Sequence, residues 1–393
     1  MSPLAIVFVT VFVDLLGFGI IIPLLPFYAE RFGGTAQTVA LLSASFSAMQ
    51  FIFMPIWGRL SDRVGRRPIL LLGLFGSFAS YLAFGLAGSL PLLFVSRMFA
   101  GIAGATVSTA QAFIADTTTP ENRAKGMGLL GAAFGLGFVF GPAIGGVLSR
   151  WGHVVPPLFA AALSLVNFGA AWFLLPESRP AHIPATAKAA RSRVDSLKNA
   201  LTRPTMPALL LIYITVVAAF SGFETTFALF TEKRFGFTEE TIGYFFAYIG
   251  VVLTIVQGGL VGRTVKRFGE PRVVTGGLLL LGVGLGLIAL SRTLVELIVA
   301  NGILTMGMAF NSPSLTSLIS RRSDPEDQGG ILGVSQGLAS LARIIGPAWG
   351  GFLFDRWGMT SPYVSSSVLI LVACGISIVG LREKARTETA TSG

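Results

Sequence analysis

The chain reads as an all-α integral membrane protein, with twelve transmembrane helices in two six-helix bundles related by pseudo-two-fold symmetry. Three observations lead there. Of 393 residues, 53% are apolar and 12% charged, with mean hydropathy +0.74, against roughly 25% charged residues in a soluble domain. Apolar stretches of about 20 residues, the length that spans a hydrocarbon core, recur twelve times. And the basic stretch Gly58-Arg59-Leu60-Ser61-Asp62-Arg63-Val64-Gly65-Arg66-Arg67-Pro68 comes back 204 residues later, with Gly58, Arg59, Arg63 and Gly65 returning as Gly262, Arg263, Arg267 and Gly269.

In order, the predicted spans are 4–29, 37–58, 68–88, 90–115, 124–149, 154–176, 205–231, 240–261, 271–291, 293–319, 328–353 and 361–381. The first is too long for a signal peptide, has no basic leader and carries Asp14 at its centre, so it is expected to stay in the mature protein. Residues 177–204 form the longest polar stretch and read as a cytoplasmic linker between a bundle at 1–176 and a bundle at 205–381. The charged tail 382–393 has too little apolar content to order itself. With Met1 in the cytoplasm, 21 of the 29 Lys and Arg fall in loops on that side and 6 on the other. This positive-inside bias places both termini in the cytoplasm of a multi-pass cell (inner) membrane protein whose basic loops meet an anionic inner leaflet. It also accounts for the net charge of +10 without nucleic acid. Cys374 is the only cysteine, so no internal disulfide forms. His153 and His182 lie in loops with no partner at ligand spacing, which argues against a metal.

The repeat extends beyond the hinge. Pro120-Glu121 returns as Pro325-Glu326, Gly141-Pro142 as Gly346-Pro347 and Gly145-Gly146 as Gly350-Gly351, each 205 residues on. Six spans per half is an even number, so both halves enter from the same side as a parallel repeat. An axis along the membrane normal then puts a substrate site at the midplane between halves that rock against each other.

These residues carry a resemblance. The hinge is similar to the signature loop between helices 2 and 3 of the major facilitator superfamily. Arg97-Met98-Phe99-Ala100-Gly101-Ile102-Ala103-Gly104-Ala105 resembles its fourth-helix motif, and Gly131 to Gly146 the antiporter motif of its fifth helix, here with Gly137, Gly141, Pro142, Gly145 and Gly146. Through Asp14-Leu15-Leu16-Gly17-Phe18-Gly19 with Pro23 and Pro26, Asp116-Thr117-Thr118, and Phe230 to Gly236, the chain looks most like the drug/H+ antiporters of the tetracycline-efflux type. The resemblance implies a monomeric exporter without cofactor, exchanging protons for a small molecule. One departure stands out: tetracycline exporters carry an acidic residue within helix 9, and residues 271–291 have none.

Asp14 lies about ten residues into its helix, near the midplane at roughly 1.5 Å per residue. A carboxylate there costs several kcal/mol unless paired, hydrated or protonated. It is either a fixed structural partner or a group whose protonation changes with its surroundings. Arg97 shares a helix face with Gly101, Gly104, Ser108 and Gln111 and must face the bundle interior. In the resembled family this arginine serves proton coupling, with Asp14 its expected partner here. Glu224, among Phe220, Phe223, Phe227 and Phe230, either offers charge and aromatic faces to a cationic, greasy compound or stands in a phenylalanine stripe that is plain packing or lipid-facing surface. Arg343 can counter Glu224, Asp14 or an anionic substrate. Gln50, Gln257 and Asn301 either line the cavity or join helices. The glycines 137, 141, 145 and 146 permit close helix approach and are expected at the seam between halves, with Pro142 kinking the helix. Gly58, Asp62, Arg63, Gly65 and Arg66 form the expected conformational lock.

A membrane-embedded enzyme would need a nucleophile or metal constellation, and the chain has no Gly-x-Ser-x-Gly, no His-Glu-x-x-His and no histidine in a predicted helix. A channel fits poorly with ionisable residues placed asymmetrically between the repeats. The expectation is a proton-coupled exporter of small amphipathic compounds, with a metabolite, sugar or lipid exporter on the same scaffold as the alternative.

Overall fold

Twelve helices long and apolar enough to cross a membrane run through the residues described by this computed structural model, 3–104, 107–178, 201–323 and 328–381, and no strand occurs among them. Helix α1 runs over Pro3–Ile21, a 3-10 turn at Ile22–Leu24, and Leu25–Arg31. Pro23 and Pro26 cause the change of winding, because each lacks the N–H that an α-turn needs. Next come α2 (Ala36–Val64), α3 (Arg66–Gly85), α4 (Leu90–Gly104 and Val107–Thr117), α5 (Pro120–Ser149) and α6 (Val155–Leu174). The second set is α7 (Met206–Phe235), α8 (Glu239–Ile255, a π turn at Val256–Leu260, and Val261–Phe268), α9 (Glu270–Leu290), α10 (Leu294–Arg321), α11 (Gln328–Trp357) and α12 (Ser361–Gly380). Most of the expected linker, 179–200, and the whole expected tail, 382–393, lie outside the described residues.

One boundary differs from expectation. The stretch 59–67 is not a loop: α2 continues to Val64 and α3 begins at Arg66, leaving Gly65 alone to turn the chain at φ 103°. Gly269, at φ 81°, does the same between α8 and α9. Only glycine takes such angles without cost, so a single residue suffices where composition suggested nine.

The chain forms two compact units, residues 1–187 with 231–250 and residues 188–230 with 251–393. In the first, Val7, Val11, Leu15, Leu70, Leu74, Phe113 and Leu130 make a core shared by α1, α3, α4 and α5. Large side chains on the other faces point outward, as lipid-facing surfaces require: Phe173 is 85% and Val166 69% exposed.

Glycine sets how closely helices meet. A methyl added at Gly141 of α5 would lie 2.7 Å from Cα of Gly19 on α1, and one at Gly137 would lie 2.9 Å from Cβ of Leu15. Gly145 faces the Ile20 carbonyl in the same way. The antiporter-motif glycines 137, 141 and 145 therefore seat α5 on α1. Pro142 and Gly146 meet α8 instead, where a methyl at Gly243 would lie 2.6 Å from the Pro142 carbonyl oxygen. The second unit repeats the device, with Gly346 of α11 against Ala218 and Gly222 of α7.

Candidate functional site

Asp14 is half-buried on α1, and its Oδ1 is sealed from solvent with no hydrogen-bond partner. Ser77 of α3 is the polar side chain beside the carboxylate. Arg97 of α4 is 3% exposed; its guanidinium carbon sits 5.0 Å from the centre of the Phe84 ring, and its Nε and Nη2 have no hydrogen-bond partner. The expected pairing of these two residues is not made, since no ion pair joins Asp14 to Arg97. Tyr81 of α3 is instead the buried side chain on which both charges act. Gly17 makes room for it: a methyl there would lie 2.9 Å from Tyr81 Cε2. The result is a polar stack of Asp14, Ser77, Tyr81 and Arg97 across α1, α3 and α4. Tyr81 and Ser77 were missed at the level of sequence because neither residue type announces itself in an apolar helix.

The expected substrate contacts divide. Phe223 and Phe227 are 2% and 0% exposed with ring centres 4.8 Å apart, and Phe223 stands edge-on to Tyr363 at 6.3 Å. They pack the second unit. Phe220, half-buried, extends that row at 5.8 Å from Phe223. Gln50 spends its amide on a 3.3 Å hydrogen bond to the Gly104 carbonyl, joining α2 to α4. Asn301 is fully buried, accepts from Thr305 and leaves its Nδ2 unpartnered. Gln257 is exposed in the π turn of α8. Glu224 is half-buried on α7, and Arg343 of α11, exposed, is the cation whose field reaches it; Tyr213 of α7 lies within range of the same guanidinium.

At the hinge, Arg66 is 7% exposed and forms the hub. It pairs with Asp62 at 2.7 Å and with Asp116, at the end of α4, at 2.9 Å, and donates to Ser61 Oγ at 2.7 Å. Glu177, just after α6, accepts from the backbone N–H groups of Arg66 and Arg67 at 2.9 and 3.2 Å. It caps the start of α3, where N–H groups have no helical partner. A methyl at Gly65 would collide with Glu177 Oε2, a second reason for glycine there. Of the expected lock residues, Asp62, Gly65 and Arg66 enter this network, whereas Arg63 is exposed and Gly58 faces open space. Asp116 and Glu177 complete it. Asp116 stood in a stretch already marked by resemblance; nothing local pointed to Glu177.

At the other end of the first unit, Arg31 pairs with Glu239 at 3.6 Å, and Arg150 pairs with Glu240 and donates to Tyr244 at 3.1 Å. A cavity of about 600 Å³ there is lined by Phe27, Arg31, Arg150, His153, Glu232 and Glu239 among others. Tyr28 donates to the His153 carbonyl, and burial followed by the field of Arg31 holds the His153 imidazole pKa below its ordinary value.

The comparisons with known proteins fit this geometry. The family model described as Major Facilitator Superfamily matches residues 7–266 and 255–393. The chain is 32% identical to the class E tetracycline resistance protein of Escherichia coli over 95% of this chain and 92% of that one. It is also 32% identical to Multidrug resistance protein 2 of Bacillus subtilis (strain 168), over 95% and 94% of the two chains. The crystal structure of the human organic anion transporter MFSD10 (TETRAN) superposes with a TM-score of 0.71 at 28% identity, covering 96% of this chain and all of that one. A bacterial homologue of the human lysosomal transporter Spinster shares the fold, with a TM-score of 0.79 at 16% identity and 97% and 98% coverage. With twelve spanning helices, a glycine-turned hinge present twice and a family match running almost end to end, the chain belongs to the Major Facilitator Superfamily.

Proposed function

We propose that this protein is a proton-coupled secondary transporter that exports small amphipathic compounds across the cell membrane by alternating access, with both termini in the cytoplasm. The observation that carries the reading is the stack on α1, α3 and α4. Asp14 has an oxygen sealed from water and unpartnered, and Arg97 has two such nitrogens. Neither neutralises the other. A carboxylate in that setting gains or loses a proton whenever hydration or the position of Tyr81 and Arg97 changes, because each alters the relative stability of its two protonation states. The names of the tetracycline and multidrug relatives support export as the direction and drug-like compounds as the cargo.

In this reading Asp14 carries the proton, Arg97 and Tyr81 set how tightly it is held, and the network around Arg66 steadies one conformation. Glu224 with Arg343 and Tyr213 offers a polar contact for substrate in the second unit, and Phe220 an aromatic one. One charge moving through 100 mV is worth about 2.3 kcal/mol, and each pH unit adds about 1.36 kcal/mol, so one proton sustains a gradient of about a few hundred-fold for a neutral compound. A second reading, export of an organic anion, draws on the exposed guanidinium of Arg343 and on the likeness to MFSD10, a human organic anion transporter.

The test is transport in proteoliposomes with ethidium, tetracycline and an organic-anion dye as probes. Asp14→Asn mimics the protonated form and removes the titration, so it is expected to abolish proton-driven accumulation while leaving exchange of labelled for unlabelled probe. Uphill transport by Asp14→Asn under a proton gradient would move the coupling site elsewhere, with Glu224 first in line.

A further inference from the structure

At the offsets of the internal repeat, 204 residues at the hinge and 205 beyond it, Asp62, Arg66 and Asp116 fall on Lys266, Glu270 and Arg321. Every sign is reversed. The second unit nevertheless builds the same kind of hub. Glu270 is 9% exposed at the first residue of α9. Its Oε1 accepts a 2.6 Å hydrogen bond from Ser317 Oγ on α10, and Nε of Arg321, in the last turn of α10, lies 3.6 Å from the same oxygen. Lys266 stands in the last turn of α8, one helical turn ahead of Glu270. The glycine turn between them, Gly269, matches Gly65 of the first hinge in sign of φ.

The reversal has a physical consequence. A helix carries partial positive charge at its start and partial negative charge at its end. In the first hinge Arg66 lies at the start of α3, and Asp62 and Asp116 lie at the ends of α2 and α4. All three oppose the helix dipoles, and the free N–H groups of α3 are satisfied by a carboxylate from elsewhere in the chain, Glu177. In the second hinge Glu270 lies at the start of α9, and Lys266 and Arg321 at the ends of α8 and α10. All three follow the dipoles. The second hinge thus draws stabilisation from the helix ends as well as from its ion pair.

We infer that Glu270 is a positioning residue for transport, the centre of a charge-inverted second hinge that ties the start of α9 to the end of α10, where Arg66 in the first hinge ties α3 to α2 and α4. Glu270 touches no substrate in this assignment; it acts by holding the start of α9 and the end of α10 in register. The inference rests on the transport reading for its functional consequence but on the hinge geometry for its existence, and the experiment separates the two.

In a Cys374→Ala background, Val265→Cys places a half-buried thiol beside the second hinge. Its alkylation by N-ethylmaleimide in nanodiscs reports hinge opening and needs no substrate, while ethidium transport in proteoliposomes reports function. Glu270→Gln, which turns the Ser317 bond into a neutral one and removes the ion pair, is expected to speed alkylation by about tenfold, and Arg321→Gln, which removes only a solvent-exposed ion pair, by about two- to threefold. They should lower the maximal ethidium transport rate while the half-saturating concentration stays within about twofold. The combined swap Glu270→Arg with Arg321→Glu restores the pair with its polarity reversed, and is expected to bring both readouts back to within about threefold of the parent. Should either single variant fail to fold, recovery of a folded, slowly alkylated protein by the swap supports the pairing equally. Parental alkylation rates in both single variants, or a swap no better than the singles, overturn the inference. If alkylation responds as expected but the parent moves no ethidium, tetracycline or anionic dye, the hinge stands and the transport reading fails.

Discussion

A guanidinium held against one aromatic ring and short of two hydrogen bonds is expensive to keep. Each unsatisfied buried donor costs about 1–3 kcal/mol, and a desolvated cation–π contact returns about 2 kcal/mol, so packing on Phe84 does not by itself account for Arg97. The same holds for the bare oxygen of Asp14. An ionisable group kept at such a cost in the middle of a membrane is a functional-site hypothesis by default, which is why the proposed coupling proton is put on Asp14 and not on the exposed acids of the loops. His153 gives a residue-level prediction of a different kind. Its pKa is lowered in the folded protein by burial and by Arg31, so the unfolded chain takes up the proton first, near the ordinary value of about 6.5. The stability associated with neutral His153 is full above that value and is lost as pH falls toward the lower folded pKa. Thermal midpoints in detergent between pH 8 and pH 5 should therefore fall more for the parent than for His153→Gln. Equal slopes would show that the imidazole contributes nothing to acid sensitivity.

Among the helices, contact distance decides which glycines matter. A methyl at Gly141 meets the α1 backbone at 2.7 Å, whereas one at Gly135 on the same helix meets nothing within 4 Å. Backbone cannot step aside as a flexible side chain can, so Gly141→Ala is expected to destabilise by about 1–3 kcal/mol through overpacking. Gly135→Ala should be neutral or stabilising by up to about 1 kcal/mol, from helix propensity alone. Thermal unfolding of the two variants side by side checks this, and similar midpoints would mean that α5 has freedom to shift on α1. The two halves differ in helical winding at the corresponding place. Pro55 stands inside α2, which runs unbroken over Ala36–Val64, whereas a π turn at Val256–Leu260, with Gly258 and Gly259, interrupts α8.

For the molecule as a whole, the unequal distribution of Lys and Arg predicts the orientation in the membrane. In a Cys374→Ala background, single cysteines at position 190 and position 388 should resist an impermeant maleimide in intact cells, while cysteines replacing Arg150 or Lys233 should label. Labelling of position 190 from outside would invert the topology and the direction of transport. The grouping of residues 231–250 with the first unit goes with close packing of α8 on α5, where Gly243 meets Pro142 and Gly146 and Gly250 meets Val139, and with ion pairs that no hydropathy pattern reveals. Arg31 with Glu239 and Arg150 with Glu240 join the ends of α1 and α5 to the start of α8.

Twelve spans, their order and their internal duplication were determined by sequence alone. Segment length against bilayer thickness is a local property, and a duplicated hinge is visible without folding. Asp14 and Arg97 were legible for the same reason: a charge in an apolar run is conspicuous wherever it folds. What only the tertiary structure decided is which side chains share a space. Tyr81 between Asp14 and Arg97, Glu177 capping α3 from the far end of the first bundle, and Ser317 with Arg321 on Glu270 depend on helix rotation and on contacts spanning up to 111 residues. Phe223 turned inward to pack on Tyr363, with Phe227 against Phe223, for the same reason: an aromatic stripe carries no mark of whether its neighbour is substrate, lipid or another ring until the neighbouring helix is in place.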